Sequence, residues 1–368
     1  MTPALVAGLL SAAVLSALLT ALAIPLLRRA HVIDIPVDRS LHERPVPRGG
    51  GLAVVLAVAL SVWTAPLIVL SLDGLPHMSA RFNVVVLGLC TILAFALVGL
   101  AEDLYSLPTT TRFGLQLGLG LLLGLGACLE FGGPMWLAPV VAVCSAGLVN
   151  VTNFMDGANG LAGGHAVIAA GWFVAVSLVM PVPGLGFVMI VMAGACLGFL
   201  PFNAPRARVF LGDSGSYALG GAWSFAATVC LAAGAPADIS VAPLLVLVAD
   251  TGYTLWLRVH AGQRWYEPHK LHVYQRMVSA GWPHWGSALL VSGTALACCA
   301  VAAVDLRSHR VSWPPVIAMV LILLAYLHMP MLVRAPSPFH RPRAGRGRRA
   351  GPRADPLLGP GGRGAAEA

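Results

Sequence analysis

Asn83-Val-Val-Val-Leu-Gly-Leu-Cys-Thr-Ile-Leu-Ala-Phe-Ala-Leu-Val-Gly-Leu-Ala101 carries no charge along its length and then runs directly into Glu102-Asp103. About 20 apolar residues in an α-helix cross a hydrocarbon core of roughly 30 Å. The stretch therefore reads as a membrane span that delivers two carboxylates to the water at its end. Ten further runs of this kind lie near 3–27, 49–70, 113–129, 135–151, 160–180, 184–201, 215–234, 240–258, 285–304 and 313–333. The chain is thus expected to be an all-α polytopic membrane protein of about eleven transmembrane helices, or ten, since the fourth and fifth runs are short and rich in glycine.

Composition agrees with this reading. Of 368 residues, 58% are hydrophobic and 10% charged, where a soluble domain carries about a quarter charged. The first run lacks a preceding basic segment, exceeds the usual length of a secretory hydrophobic region and is followed by Arg28 and Arg29, so a retained first helix is expected. Lys and Arg gather on the cytoplasmic side of short loops. With the N-terminus outside and the C-terminus cytoplasmic, all 23 Lys and Arg except Arg81, Arg307 and Arg310 fall on the inner side. A membrane domain is expected over 1–334, followed by a disordered basic cytoplasmic tail over 335–368 that has too few apolar residues to fold. The tail's arginines suit a solvated end better than a lipid-binding device.

The seven Cys show no Cys-x-x-Cys spacing and read as small buried hydrophobes, neither bridged nor metal-bound. Gly114, Gly118, Gly120 and Gly124 carry the spacing that lets transmembrane helices approach closely. No internal repeat is evident, which weighs against transporter folds built from paired halves. No nucleic-acid partner is expected.

Chemistry is expected where the scarce acids stand. Glu102, Asp103, Asp156 and Asp213 all fall at proposed cytoplasmic ends of spans, in three loops on one side. As neighbours, Glu102 and Asp103 would raise each other's pKa unless a cation separates them, and a divalent metal shared with a phosphate substrate is the natural cation. The loop Asn150-Val-Thr-Asn153-Phe-Met-Asp156-Gly157-Ala-Asn159-Gly160-Leu161 is more polar than a connection requires. Phe210-Leu-Gly-Asp213-Ser214-Gly-Ser216 opens a helix whose free N–H groups would face the same side, with Asp213 or Ser214 as its cap in the plainer reading. Two basic segments, Leu41 to Gly51 and Glu267 to Arg276, supply groups that attract phosphate. His269 and His272 lie three apart, but zinc lacks a full ligand set there. Asp250, His165 and His328 are the ionisable residues left inside spans.

His42 to Gly51, Gly99-Leu-Ala-Glu102-Asp103-Leu with Arg112 downstream, Asn150 to Leu161, Asn203 through Asp213 to Ser216, and His269 to Arg276 together resemble the motifs of the polyprenyl-phosphate N-acetylhexosamine-1-phosphate transferases, glycosyltransferase family 4, in the family's order. The resemblance implies transfer of a hexosamine-1-phosphate from a UDP-sugar to polyprenyl (undecaprenyl) phosphate, with release of UMP. It implies Mg²⁺, or Mn²⁺ in its place, with Asp213 the leading ligand and Asp103 and Asp156 beside it. Glu102, Asp103, Asp156 and Asp213 would form the catalytic group. His42, Arg44, Arg48, Asn150, Asn153, Asn159, Asn203, His269, His272 and Arg276 would bind substrate. Glu102 stands where the family usually begins an Asp-Asp pair, and Asn159 where many members have a second Asp, so the resemblance carries these two roles over least directly. On the resemblance, His-x-x-His-x-Tyr-Gln-Arg points to the branch that initiates surface polysaccharide rather than to the peptidoglycan translocase branch. The enzyme would sit in the inner membrane, with room for a homodimer. A transporter or flippase for lipid-linked sugars and an inactive relative are the rival readings. On the sequence alone, Glu102→Asp is expected to keep activity and Glu102→Gln to lose most of it.

Overall fold

The computed structural model describes residues 2–36, 41–42, 44–73, 79–180, 182–263, 270–308 and 310–335. His269 and the expected tail beyond Ala335 lie outside the described residues. In chain order the elements are α1 (Pro3–Arg29), β1 (Ile33–Asp34), β2 (Val46–Pro47), α2 (Gly51–Asp73), α3 (Ser79–Tyr105), α4 (Thr109–Phe131), α5 (Leu137–Phe154), α6 (Leu161–Val179), α7 (Leu185–Asn203), α8 (Gly212–Ala232), α9 (Ala237–Val241), α10 (Leu245–His260), α11 (Val273–Ser279), α12 (His284–Ser308) and α13 (Trp313–Leu332). Each of the eleven apolar runs is helical.

Among the described residues, nine helical segments are long and apolar enough to cross a bilayer. The other two expected spans are α2 and α8. α8 is less apolar because it needs no lipid-facing surface: it packs against α3 and α5, and its residues from Ser214 to Ala227 are buried. α1 shows the opposite arrangement. Leu10, Val14, Leu18, Leu22 and Leu26 point outward, while Gly8, Ala12, Ser16 and Thr20 are buried on the side that meets α7. An outward leucine stripe is costly in water and costs nothing in hydrocarbon.

The run at 240–258 is not one continuous helix. α9 ends in a single 3-10 turn, Ala242–Leu244, before α10 begins. Pro243 lacks an N–H and its ring clashes with the carbonyl four residues back. Two α6 side chains satisfy the freed carbonyls: Trp172 Nε1 donates to Ile239 O at 2.8 Å, and His165 Nε2 donates to Pro243 O at 2.7 Å. His165 thus repairs a helix break inside the membrane, where no water can do so.

Gly120 and Gly124 lie against Ala142 and Ala138 of α5, as their spacing suggests, but no atom lies within 4 Å of a Cβ built at Gly114 or Gly118. All seven Cys are free; Cys90 and Cys144 face outward, against the expectation that all are buried.

The crossing that matters for function is α3 against α8. A Cβ at Gly99 would stand 2.2 Å from the carbonyl oxygen of Asp213. Backbone, not a flexible side chain, is the obstacle, so Gly99→Ala is expected to destabilise the protein by about 1–3 kcal/mol and to displace Asp213. Thermal unfolding in detergent, read beside activity, would measure both effects; an unchanged midpoint would mean the helices do not touch there.

Candidate active site

The C-terminal ends of α3, α5 and α7 and the starts of α2, α8 and α12 gather at one end of the bundle around a cavity of about 400 Å³. The alternation of spans puts the start of α1 at the opposite end and the end of α13 at this one.

Backbone lacing brings the basic segment to the carboxylates. β1 and β2 pair antiparallel, Ile33 with Pro47 and Asp34 with Val46. Phe210 N then donates to Pro47 O at 2.8 Å, Gly50 N to Phe210 O at 2.8 Å and Gly51 N to Leu211 O at 2.7 Å. Gly212 turns this strand-like segment into α8 with φ +80°, a conformation that favours glycine. Arg48 is thereby placed over the start of α8. Its Nη2 lies 2.7 Å from Asp213 Oδ1 and 3.1 Å from Asp103 Oδ1.

Asp103 has a second task. Its Oδ1 accepts from Asp213 N at 3.1 Å and its Oδ2 from Ser214 N at 2.9 Å. The free N–H groups of α8 are therefore capped by a carboxylate on α3, not by Asp213 or Ser214 as the plainer sequence reading had it, and the helix dipole favours a negative charge there. Asp213 is left free for other work. Its Oδ1 also accepts from Asn153 Nδ2 at 2.8 Å, and Asn153 reaches Ser216 Oγ at 3.0 Å.

Glu102 and Asp103 do not act as one pair. Successive helical residues point about 100° apart, and Glu102 turns away to Arg112, Oε1 to Nη1 2.9 Å, rather than sharing a cation with Asp103. The expectation of a jointly held charge is corrected accordingly. A carboxylate shortened by one methylene would not hold this contact, so Glu102→Asp is no longer expected to be silent. Removing either member leaves the other half-buried and uncompensated. Glu102→Gln and Arg112→Met are each expected to lower activity about 10–100-fold, as for other groups that support a site from behind. The double variant should lose no more than either single one, which a rate comparison across the four proteins would show.

The Asp156 carboxylate has no hydrogen-bond or ion-pair partner among the described residues and lines the cavity. Burial, then the charges of Asp213 and Asp103, push its carboxyl up to about 8, with Arg48 opposing. His42, packed edge-on against Phe210 at 4.9 Å, also lines the cavity, as does Asn159. Asn203 reaches the wall but both ends of its amide are used: Oδ1 accepts from Gly160 N at 2.7 Å and Nδ2 donates to Val209 O at 3.1 Å. It fixes the loop.

Four expected substrate ligands stand elsewhere. Arg44 is exposed and away from the cavity. Asn150 Nδ2 donates to Gln116 Oε1 at 2.6 Å between α4 and α5. His272 and Arg276 are buried behind the wall, and His272 Nδ1 meets Asp250 at 3.0 Å. Conversely, Asp34, Gln275 and His284 line the cavity without having been singled out. His284 Nδ1 accepts from Asn159 N at 3.3 Å. Its place immediately before the run 285–304, on the same side as the acids, was the signal that could have found it.

Comparison with known proteins places this geometry. The profile of glycosyl transferase family 4 matches residues 85–231, which include most of α3, all of α5, nearly all of α8 and all four carboxylates. A decaprenyl-phosphate N-acetylglucosaminephosphotransferase of Mycolicibacterium smegmatis is 31% identical over 72% of this chain and 72% of its own length. Its counterpart from Mycobacterium leprae is 29% identical over 77% of this chain and 79% of that protein. A probable undecaprenyl-phosphate N-acetylglucosaminyl 1-phosphate transferase of Bacillus subtilis is 27% identical over 74% and 78%. With the profile covering the ends of α3, α5 and α7 and the start of α8, and with a relative 31% identical over 72% of both chains, the chain belongs to glycosyl transferase family 4.

Proposed function

We propose that the chain transfers N-acetylglucosamine 1-phosphate, or a closely related acetamido sugar phosphate, from a UDP-sugar to a polyprenyl phosphate. An oxygen of the lipid phosphate attacks the sugar-linked phosphorus. The bond from that phosphorus to the bridging oxygen breaks, UMP leaves with that oxygen, and polyprenyl-diphospho-sugar remains. One observation carries the reading: Arg48, Asp213, Asp103 and Asp156 stand together at the edge of a cavity on one end of a membrane bundle. Two anionic substrates meeting there need charge neutralisation more than a strong base.

Arg48 and His42 would bind phosphate oxygens, and Asn153 would keep Asp213 aimed at the reacting group. Asn159, Gln275 and His284 would contact the donor. Among the described residues, no three His, Cys, Asp or Glu side chains form a complete metal cage. That suits Mg²⁺, which takes one or two carboxylates and completes its shell with water and substrate phosphate. The unpartnered Asp156 and the Asp213 carboxylate are the oxygen donors that fit it, with Asp103 adjacent. When bound, Mg²⁺ or Mn²⁺ supplies positive charge to the phosphates at the moment of transfer.

The charge bias of the loops supports a cytoplasmic site in the inner membrane, with the N-terminus outside and the product feeding surface polysaccharide. The transporter reading loses support because three ionisable residues inside spans are already hydrogen-bonded: His165 to Pro243 O, Asp250 to His272, and His328 to Leu324 O at 2.7 Å. A panel of UDP-sugars incubated with the purified chain, polyprenyl phosphate and Mg²⁺, with the lipid product read by mass spectrometry, tests the proposal. UDP-N-acetylglucosamine is expected to give UMP and a lipid diphosphate; UMP release from no UDP-sugar would overturn it.

A further inference from the structure

Asp250 has no exposed surface, lies in α10, and takes no part in the cavity. A carboxylate buried in a membrane bundle costs several kcal/mol unless its oxygens are hydrogen-bonded, and a leucine would fill the same space without that cost. Its partners show what it holds. Val273 N donates to Oδ1 at 3.0 Å and to Oδ2 at 3.1 Å, and His272 Nδ1 donates to Oδ1 at 3.0 Å; both residues lie at the start of α11. Tyr326 Oη on α13 donates to Oδ2 at 2.6 Å, and Thr254 Oγ1 on its own helix reaches Oδ1 at 3.3 Å.

α11 passes this hold on to the site. Tyr274, buried next to Val273, donates its hydroxyl to Phe154 O at 3.0 Å, at the end of α5 that bears Asn153 and leads to Asp156. Gln275 donates Nε2 to Tyr274 Oη at 3.2 Å and accepts at Oε1 from His272 N at 3.3 Å, so both ends of its amide are fixed while its side chain lines the cavity.

We infer that Asp250 is a positioning residue of the transfer site: from inside the bundle it anchors the start of α11 and thereby sets Gln275 in the cavity wall and braces the end of α5. It touches no substrate. The inference rests on the transferase reading above and names how the donor half of that site is held. Asn153 and Asp213 are tied independently to α8, so loss of Asp250 weakens donor binding more than it slows the chemical step.

The test uses the full chain in detergent or nanodiscs, with three variants. Asp250→Asn keeps the shape but turns an NH₂ toward N–H and O–H donors. Its KM for the UDP-sugar is expected to rise by roughly 10-fold or more, with kcat changed only a few-fold. Hydrogen exchange at 273–277 should quicken in the same variant. Gln275→Ala should raise KM without quickening that exchange. Tyr326→Phe removes one donor, leaves the rest of the fold alone and should raise KM several-fold, which keeps the test open if Asp250→Asn folds poorly. A wild-type KM in Asp250→Asn and Tyr326→Phe, or a lower unfolding temperature with kinetics unchanged, would overturn the positioning role. Absence of UMP release by the wild-type chain would instead sink the transferase reading, and hydrogen exchange at 273–277 would still decide whether Asp250 holds α11.

Discussion

Asp213→Ala is expected to abolish UMP exchange, lowering the rate by about 10³-fold or more, the upper range for loss of a single preorganised charge-stabilising group, while leaving the protein nearly as stable as before. The two halves of this expectation come from a division of labour at the start of α8. Asp213 gives its side chain to Arg48 and Asn153, both at the cavity edge. It gives nothing to its own helix, whose first N–H groups are capped by Asp103. After the substitution Asn153 still has Ser216 and Arg48 still has Asp103, so the local structure survives. Asp103→Ala is the contrasting case. It removes the cap, at about 0.5–2 kcal/mol, along with the ion pair to Arg48, so activity and stability should fall together. Exchange kinetics and thermal unfolding on both variants separate the roles. Retained exchange in Asp213→Ala would remove it from the chemistry; a collapse in stability equal to that of Asp103→Ala would show that the cap had been misassigned.

The helices were legible because lipid imposes one rule on every span, a long uncharged run, and each expected run is helical. What that rule does not encode is how a span is shaped inside. Pro243 stood in plain view in the run 240–258, yet a break there is tolerable only because His165 and Trp172 on α6 reach the freed carbonyls, and no local pattern announces that pairing. The site was legible as a set of residues and less so as a set of roles. Arg48, Asn153, Asp156, Asn159 and Asp213, drawn from separate motifs, line one cavity. Adjacency misled for Glu102 and Asp103, since the helix turns them to different partners. Residue type misled for His272: a histidine in a basic segment looks like a phosphate ligand until the buried Asp250, a hydrogen-bonding partner 22 residues earlier, is seen to claim it. Asn203, expected as a substrate ligand, instead fastens one loop N–H, that of Gly160, and one loop carbonyl, that of Val209.

Arg48→Ala carries the second large effect, an expected loss of about 10²–10³-fold in exchange. The guanidinium is the one described cation that touches both Asp103 and Asp213, and it does so through a single nitrogen. It is half-exposed toward the cavity, so an arriving diphosphate can draw on its remaining donors in the paired geometry that suits phosphate. Arg48→Lys divides these two duties. One ammonium nitrogen can bridge two carboxylates, so the lysine variant should unfold at nearly the wild-type temperature. It cannot present two parallel N–H groups to a phosphate, so most of the activity lost in Arg48→Ala should stay lost. Full recovery of exchange in Arg48→Lys would reduce Arg48 to a tie between Asp103 and Asp213. Undiminished exchange in Arg48→Ala would count against the whole arrangement, because two carboxylates and two phosphorylated substrates would then meet at the start of α8 with no need of the cation that the backbone lacing from Pro47 to Leu211 brings there.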